Sequence, residues 1–81
     1  MADATIDCEG MNCPMPIVRT SQKMKTMLAG QTLEVTATDP AFAADVRAWV
    51  AKMGHELVAI EETGVQRAVI RKASHDKKET A

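Results

Sequence analysis

The sequence predicts an α/β fold, a two-layer α/β sandwich in which two helices cover one face of a four-stranded mixed sheet. Two segments carry an apolar stripe at helical spacing, and two others alternate between apolar and polar residues. Two further apolar segments flank a glycine-containing turn. The resulting order, βαβαββ, favours parallel pairing of the first two strands through a right-handed crossover. Because each helix has a single apolar stripe, both are expected on the same face of the sheet.

The first strand is predicted at residues 5–8, with a loop at residues 9–12 after it. A helix then follows to about residue 28, because apolar or small side chains recur at spacings of four, three and four. Gly30 is expected to cap the C-terminal end of this helix. The stripe consists of Ile17, Ser21, Met24 and Leu28.

Residues 33–38 alternate between apolar and polar side chains, which predicts a half-buried second strand. Asp39 and Pro40 are the expected N-cap and first residue of a second helix, which Gly54 ends. Asp45 is expected as a first-turn charge that complements the helix dipole. The apolar stripe of this helix consists of Phe42, Val46, Trp49, Val50 and Met53.

The last two strands are predicted at residues 57–62 and 66–72, joined as a hairpin by a turn at residues 63–65. The remaining residues, 74–81, have no apolar period and are expected to form a disordered tail. The sequence therefore predicts one domain over residues 1–73.

The composition excludes several classes of protein. Hydrophobic residues make up 46% and charged residues 26% of the 81 residues, an ordinary globular balance. Because the chain has 10 Lys and Arg against 11 Asp and Glu, it has no excess of positive charge, and direct nucleic-acid binding is not expected. No apolar stretch is long enough for a membrane span, and the six methionines form no ligand cluster, so no metal or cofactor is expected. The two cysteines lack redox-motif spacing, and we expect a cytoplasmic protein with free thiols.

The segment Cys13-Pro14-Met15-Pro16 is the candidate site. Two prolines this close together are tolerated only in the first turn of a helix, so the helix begins at Pro14 or at Pro16, and the sequence does not decide between them. Either start places Cys13 at or just before the positive end of the helix, where a thiolate is stabilised and the thiol pKa falls. With a start at Pro14, Cys13 is the N-cap and the Met15 N–H is the donor expected to point at its sulfur.

The chemistry expected of Cys13 is group transfer. No His lies near it in the sequence to act as a base, and His55, at the start of the third strand, is expected to be structural. So small a chain leaves little room for a pocket that surrounds a large substrate. An activated thiol with few other groups suits a carrier that accepts sulfur or another electrophile and passes it to a partner's thiol. We therefore expect a transient cysteine adduct rather than turnover in a substrate pocket.

One side of the first helix is a candidate docking surface beside the sulfur. Methionine adapts to varied partners, arginine is enriched at interfaces, and positive charge steers acidic partners. The alternative interpretation is an ordinary solvated helix surface. The candidate residues are Met15, Val18, Arg19, Gln22 and Lys23.

From Ile6 to about Arg71 the chain resembles the TusA family of sulfur-carrier proteins, which are also called SirA-like. The most specific element is Cys-Pro-x-Pro at the start of the first helix, and several downstream elements match at suitable distances. Met11 and Asn12 depart from the commonest pattern, in which Leu and a basic residue are frequent; these positions bear on partner choice and leave the carrier chemistry intact. The matching elements are residues 7–10, Cys13-Pro14-Met15-Pro16, Asp39-Pro40, Asp45-Val46 and Gly54-His55-Glu56-Leu57.

The resemblance implies the same two-layer sandwich, and it implies that Cys13 carries sulfane sulfur as a persulfide. Relatives take this sulfur from a cysteine desulfurase or a rhodanese-like donor. They pass it to DsrE-type acceptors, either for tRNA thiolation or in dissimilatory sulfur oxidation. Because such a carrier must present one sulfur to several proteins, we expect a monomer that forms transient complexes away from any membrane.

Two alternatives to a sulfur carrier stay open. One is a regulatory or interaction module of the same fold whose Cys13 carries no sulfur. The other is a thiol–disulfide switch in which Cys8 resolves an adduct on Cys13. In the simpler interpretation of Cys8, it is a small residue that ends the first strand.

Overall fold

The computed structural model describes residues 2–12, 14–62 and 64–73; Cys13 and the predicted tail at 74–81 lie outside the described residues. The order of elements within them is the predicted βαβαββ. None of the helices in these ranges is long and apolar enough to span a membrane. The elements are β1 (Ala4–Cys8), α1 (Met15–Lys25), β2 (Thr32–Ala37), α2 (Phe42–Met53), β3 (Glu56–Glu61) and β4 (Gln66–Arg71).

The strands form one mixed sheet in the order β1-β2-β4-β3. β1 and β2 are parallel, as expected for strands connected through a helix, whereas β4 pairs antiparallel with both β2 and β3. The pairing of β3 with β4 confirms the predicted hairpin. The carboxyl ends of β1 and β2 therefore share one edge of the sheet, and both helices begin at that edge.

The alternation in β2 separates the two faces of the sheet. Leu33, Val35 and Ala37 are fully buried on one face. Both helices pack onto this face, which confirms the predicted two-layer arrangement. The partners of these residues on β4 are Ile70, Ala68 and Gln66. The helix side chains in the same core are Met24, Phe42, Val46 and Val50.

Helix α1 is shorter than its apolar spacing predicts. It ends at Lys25 with Thr26 as the C-cap, so the predicted cap at Gly30 is wrong. Leu28 was expected on the buried stripe, but it is 71% exposed. Once the helix has ended, the helical spacing no longer determines which side chain faces the core, and Met27 enters it instead.

The buried stripe of α1 is also displaced by one residue in its first half. Pro16 and Thr20 are fully buried, whereas the predicted Ile17 and Ser21 are half-buried. The Thr20 hydroxyl donates to the Pro16 carbonyl over 2.7 Å, so its polar group is satisfied within the core. A pattern that searches for apolar side chains misses such a threonine.

Helix α2 begins two residues later than the predicted start. Its N-cap is Ala41, and the expected N-cap Asp39 lies in a turn ahead of the helix. The Asp39 carboxylate accepts from the Ala41 N–H over 3.1 Å, and its carbonyl accepts from the Phe42 N–H over 3.0 Å. Asp39 and Pro40 therefore form a turn that leads into the helix, a role that Asp and Pro share with N-terminal caps.

A distant residue supplies the side-chain hydrogen bond at the start of α2. Gln66 on β4 is 7% exposed, and its amide oxygen accepts from the Ala43 N–H over 3.1 Å. Its amide nitrogen donates to the Asp39 carbonyl over 2.8 Å. The predictions for the rest of the helix are confirmed: Asp45 lies in the first turn, and Gly54 ends the helix with a φ of 80°.

Candidate functional site

Helix α1 begins at Met15, with Pro14 as its N-cap and Pro16 in its first turn. This start lies between the two predicted ones, Pro14 and Pro16, so both are wrong by one residue. The arrangement costs no helical hydrogen bond, because the N–H groups of the first turn have no partner within a helix. In the sequence, Cys13 is the residue immediately before this N-cap.

N–H groups at the start of α1 donate hydrogen bonds to backbone carbonyls. The Met15 N–H donates to the Asn12 carbonyl over 2.8 Å, and the Ile17 N–H donates to the Pro14 carbonyl over 3.1 Å. Pro16 has no N–H. The expectation that the Met15 N–H points at the sulfur of Cys13 concerns a residue outside the described ones. The helix start at Pro14 on which it depended is not observed, and the Met15 N–H closes a turn with Asn12.

The positive end of the α1 dipole lies at these N–H groups. The first turn contains no acidic residue, so no side chain there opposes the helix dipole. Arg19 is exposed one turn further on and adds a formal positive charge. This charge reaches the end of β1, where it opposes the rise that burial causes in the pKa of Cys8.

The loop before α1 is attached to the carboxyl edge of the sheet. The Gly10 N–H donates to the Thr38 hydroxyl over 2.9 Å, and the Met11 N–H donates to the Cys8 carbonyl over 3.1 Å. Gly10 has a φ of 81°, a left-handed conformation that glycine adopts without strain. Gly10 and Met11 are therefore held against the ends of β1 and β2.

Cys8 ends β1 with its side chain in the core, where it is 1% exposed. Burial raises the pKa of this thiol, with the charge on Arg19 opposing the rise and that on Asp7 adding to it. A buried thiol that stays protonated is a poor nucleophile. The structure therefore favours the interpretation of Cys8 as a small core residue over that of a resolving thiol.

The five candidate docking residues lie on the side of α1 that is turned away from the sheet. Arg19 and Gln22 are exposed, Met15 is 44% exposed, and Val18 and Lys23 are half-buried. Their spacings of three and four residues make them neighbours on one helix surface. We refer to these five residues as the α1 outer face.

His55, which was expected to be structural, lies far from the start of α1. It follows α2 and precedes β3, at the opposite end of the molecule from the helix N-termini. Its Nδ1 accepts from the Ala73 N–H over 3.0 Å, and its ring centroid lies 5.2 Å from that of Trp49. Within the described ranges, no group of three or more His, Cys, Asp or Glu can hold a metal ion.

Curated relatives match most of this chain. Sulfur carrier protein TusA of Allochromatium vinosum is 40% identical over 62 residues, which cover 76% of this chain and 82% of that protein. Sulfur carrier protein TusA of Pseudomonas entomophila is 39% identical over 71 residues, covering 86% and 89%. The putative sulfur carrier protein YrkF of Bacillus subtilis is 41% identical over 81 residues, or 99% of this chain. The chain spans only 44% of YrkF and 37% of a putative sulfur carrier protein from Aquifex aeolicus.

Among solved structures, a SirA-like protein from Desulfitobacterium hafniense has the same fold. Its TM-score is 0.75 at 22% sequence identity, and the match covers 88% of this chain and 99% of that chain. The family model described as Sulfurtransferase TusA matches residues 4–72. This match extends from β1 to just beyond β4 and includes the Cys-Pro-x-Pro element. The chain therefore belongs to the TusA family.

Proposed function

We propose that this protein is a cytoplasmic sulfur carrier that accepts sulfane sulfur as a persulfide on Cys13 and passes it to a partner protein. The observation that carries the proposal is the position of Cys13 directly before the N-cap of α1, a helix with no acidic residue in its first turn. The positive end of a helix stabilises a thiolate, which is the reactive form. Two relatives are named sulfur carrier protein TusA, and this supports the same role.

The proposed transfer is a thiolate exchange. The Cys13 thiolate attacks the terminal sulfur of a donor persulfide, the donor's S–S bond breaks, and its cysteine leaves as a thiolate. The terminal sulfur keeps its proton, and a new S–S bond joins it to Cys13. Because one S–S bond forms as another breaks, the step needs no external oxidant or reductant. Delivery to an acceptor thiolate repeats the same exchange, with Cys13 as the leaving group.

The proposed donor is a cysteine desulfurase or a rhodanese-like protein, and the proposed acceptor is a DsrE-type protein. The pathway served is tRNA thiolation or dissimilatory sulfur oxidation, through transient complexes of a monomeric carrier. The α1 outer face is the proposed docking surface, because it begins at Met15, two residues after Cys13. Its Arg19 and Lys23 favour partners with acidic side chains around the reacting cysteine.

Mass spectrometry of the intact protein tests the site. After incubation with a cysteine desulfurase and cysteine, the protein should gain one sulfur atom that a reductant removes. Cys13→Ser should abolish the adduct, and the matched Cys8→Ala variant should retain it. An adduct that persists on Cys13→Ser would contradict the assignment, because it would place the sulfur on Cys8.

A further inference from the structure

A groove between α1 and α2 opens at the end of the molecule opposite the helix N-termini. Its volume is about 140 Å³. No residue of the α1 outer face lines it. Because an α-helix rises 1.5 Å per residue, Lys25 at the groove lies roughly 15 Å along α1 from Met15. The lining includes Met24, Lys25, Trp49, Met53, His55 and Lys72.

The walls of the groove are mainly apolar. Met53 lies on the apolar stripe of α2 and is nevertheless 41% exposed, while Trp49 is half-buried beside it. The volume is close to that of an engineered cavity of about 150 Å³ that binds benzene. It is well below the range of about 300–1,000 Å³ that holds drug-sized ligands and cofactors. The groove is therefore of a size for one apolar side chain.

The rim of the groove is cationic. Lys25 is exposed and forms no ion pair within the described part of the chain. The Lys72 ammonium group donates to the Met27 carbonyl over 2.6 Å, which holds its charge beside the groove. Among the residues that the structure describes, none that lines the groove is acidic. The helix dipole by itself can account for a lysine in the last turn of a helix, such as Lys25. It accounts neither for Lys72, which follows a strand, nor for the exposed Met53.

We propose that this groove docks a segment of a partner protein in which one leucine-sized side chain lies between carboxylates. The apolar side chain occupies the space beside Trp49 and Met53, and the carboxylates face Lys25 and Lys72. The start of α1 stays uncovered in such a complex. The contact is therefore independent of the sulfur chemistry proposed for Cys13, and it gives the protein a second interaction surface.

Trp49 makes the groove directly observable, because it is the only tryptophan and the chain has no tyrosine. Titration with the blocked peptide Asp-Glu-Leu-Glu-Asp should shift the Trp49 emission along a saturating curve. The matched peptide Asp-Glu-Ser-Glu-Asp lacks the apolar side chain, and Lys-Lys-Leu-Lys-Lys reverses the charge. Neither should produce a saturable shift. A saturable shift with the serine peptide, or none with the leucine peptide, would overturn the proposal.

Two charge-reversal variants distinguish binding in the groove from nonspecific electrostatic attraction of the peptide to the ends of the helices. Lys25→Glu should weaken binding of the leucine peptide about tenfold. Lys52→Glu makes the same charge change in the last turn of α2 but outside the groove, and it should weaken binding less than about twofold. Equal losses for both variants would reject the groove as the site. An emission shift that depends on protein concentration without peptide would instead identify the occupant as a second copy.

Discussion

The backbone N–H of Met15 donates a hydrogen bond to the carbonyl of Asn12 over 2.8 Å. The bond joins the residues on either side of the Cys13-Pro14 dipeptide, and it leaves Pro14 as the N-cap of α1. The Met15 N–H is therefore not a free donor for a thiolate. The activation proposed for Cys13 depends on the helix dipole and on the charge of Arg19 instead.

This dependence predicts the pH profile of the Cys13 thiol. In a Cys8→Ala background, the rate of alkylation by iodoacetamide should rise with an apparent pKa below about 8.5, the ordinary value for cysteine. Arg19→Gln should raise that pKa by removing the nearest formal positive charge on α1, and Lys52→Gln at the far end of α2 should not. An unshifted profile near 8.5 would favour the regulatory-module alternative, in which the thiol is not activated.

The burial of Cys8 predicts how stability varies with pH. Because burial raises the pKa of this thiol in the folded state, the thiol favours folding below about pH 8.5. The contribution is lost as the pH rises towards the folded-state pKa, by at most about 1.4 kcal/mol per pH unit. In a Cys13→Ser background, urea denaturation at pH 7.5 and pH 10 should show this loss. Cys8→Ala, measured in the same background, should lack it.

The same background tests whether Cys8 is accessible, as the resolving thiol of a thiol–disulfide switch has to be. Native Cys8 in Cys13→Ser should resist iodoacetamide, and it should react once denaturant exposes it. Rapid alkylation of Cys8 in the folded protein would contradict its placement in the core. So would a stability difference between the Cys13→Ser protein and its Cys8→Ala variant that is the same at both pH values.

The two hydrogen bonds of Gln66 predict a cost for its removal. Gln66→Leu removes the acceptor of the Ala43 N–H and one of the donors to the Asp39 carbonyl, which keeps its bond from the Phe42 N–H. We expect a loss of about 2–3 kcal/mol in the free energy of unfolding, measured by urea denaturation. Gln31→Leu is the matched control, because the Gln31 amide accepts a single exposed bond from the Leu28 N–H, and its loss should stay below about 1 kcal/mol. Equal losses for the two variants would show that Gln66 does not anchor α2.

Charge reversal on the α1 outer face predicts slower sulfur loading. Arg19→Glu and Lys23→Glu should each raise the desulfurase concentration required for half-maximal loading by about five- to tenfold, because they repel an acidic partner. The extent of loading at saturation should not change, since neither side chain takes part in the thiolate exchange. Lys52→Glu is again the control. Unchanged loading kinetics in both variants would show that the donor docks elsewhere.

Much of the fold could be predicted because it follows from local periodicity. Alternation in β2 identified Leu33, Val35 and Ala37 as buried, and helical spacing with a left-handed Gly54 delimited the end of α2. The predicted helix boundaries at Asp39 and Gly30 were wrong, because aspartate and glycine occur in turns as readily as at helix caps. The start of α1 was located to within one residue, since two prolines exclude every position outside the first turn.

The amino-acid sequence by itself determined the order of the elements, the sheet face that is buried, and the position of Cys13 beside the start of a helix. These depend on backbone angles and on spacings within a few residues. Only the tertiary structure decided that Gln66 anchors α2, that Thr20 belongs to the core, that Cys8 is buried, and that Lys72 and Trp49 line the same groove. Each of these contacts joins separate elements or depends on the exact phase of a helix against the sheet. Their energies arise only when the chain has folded, and no local pattern encodes them.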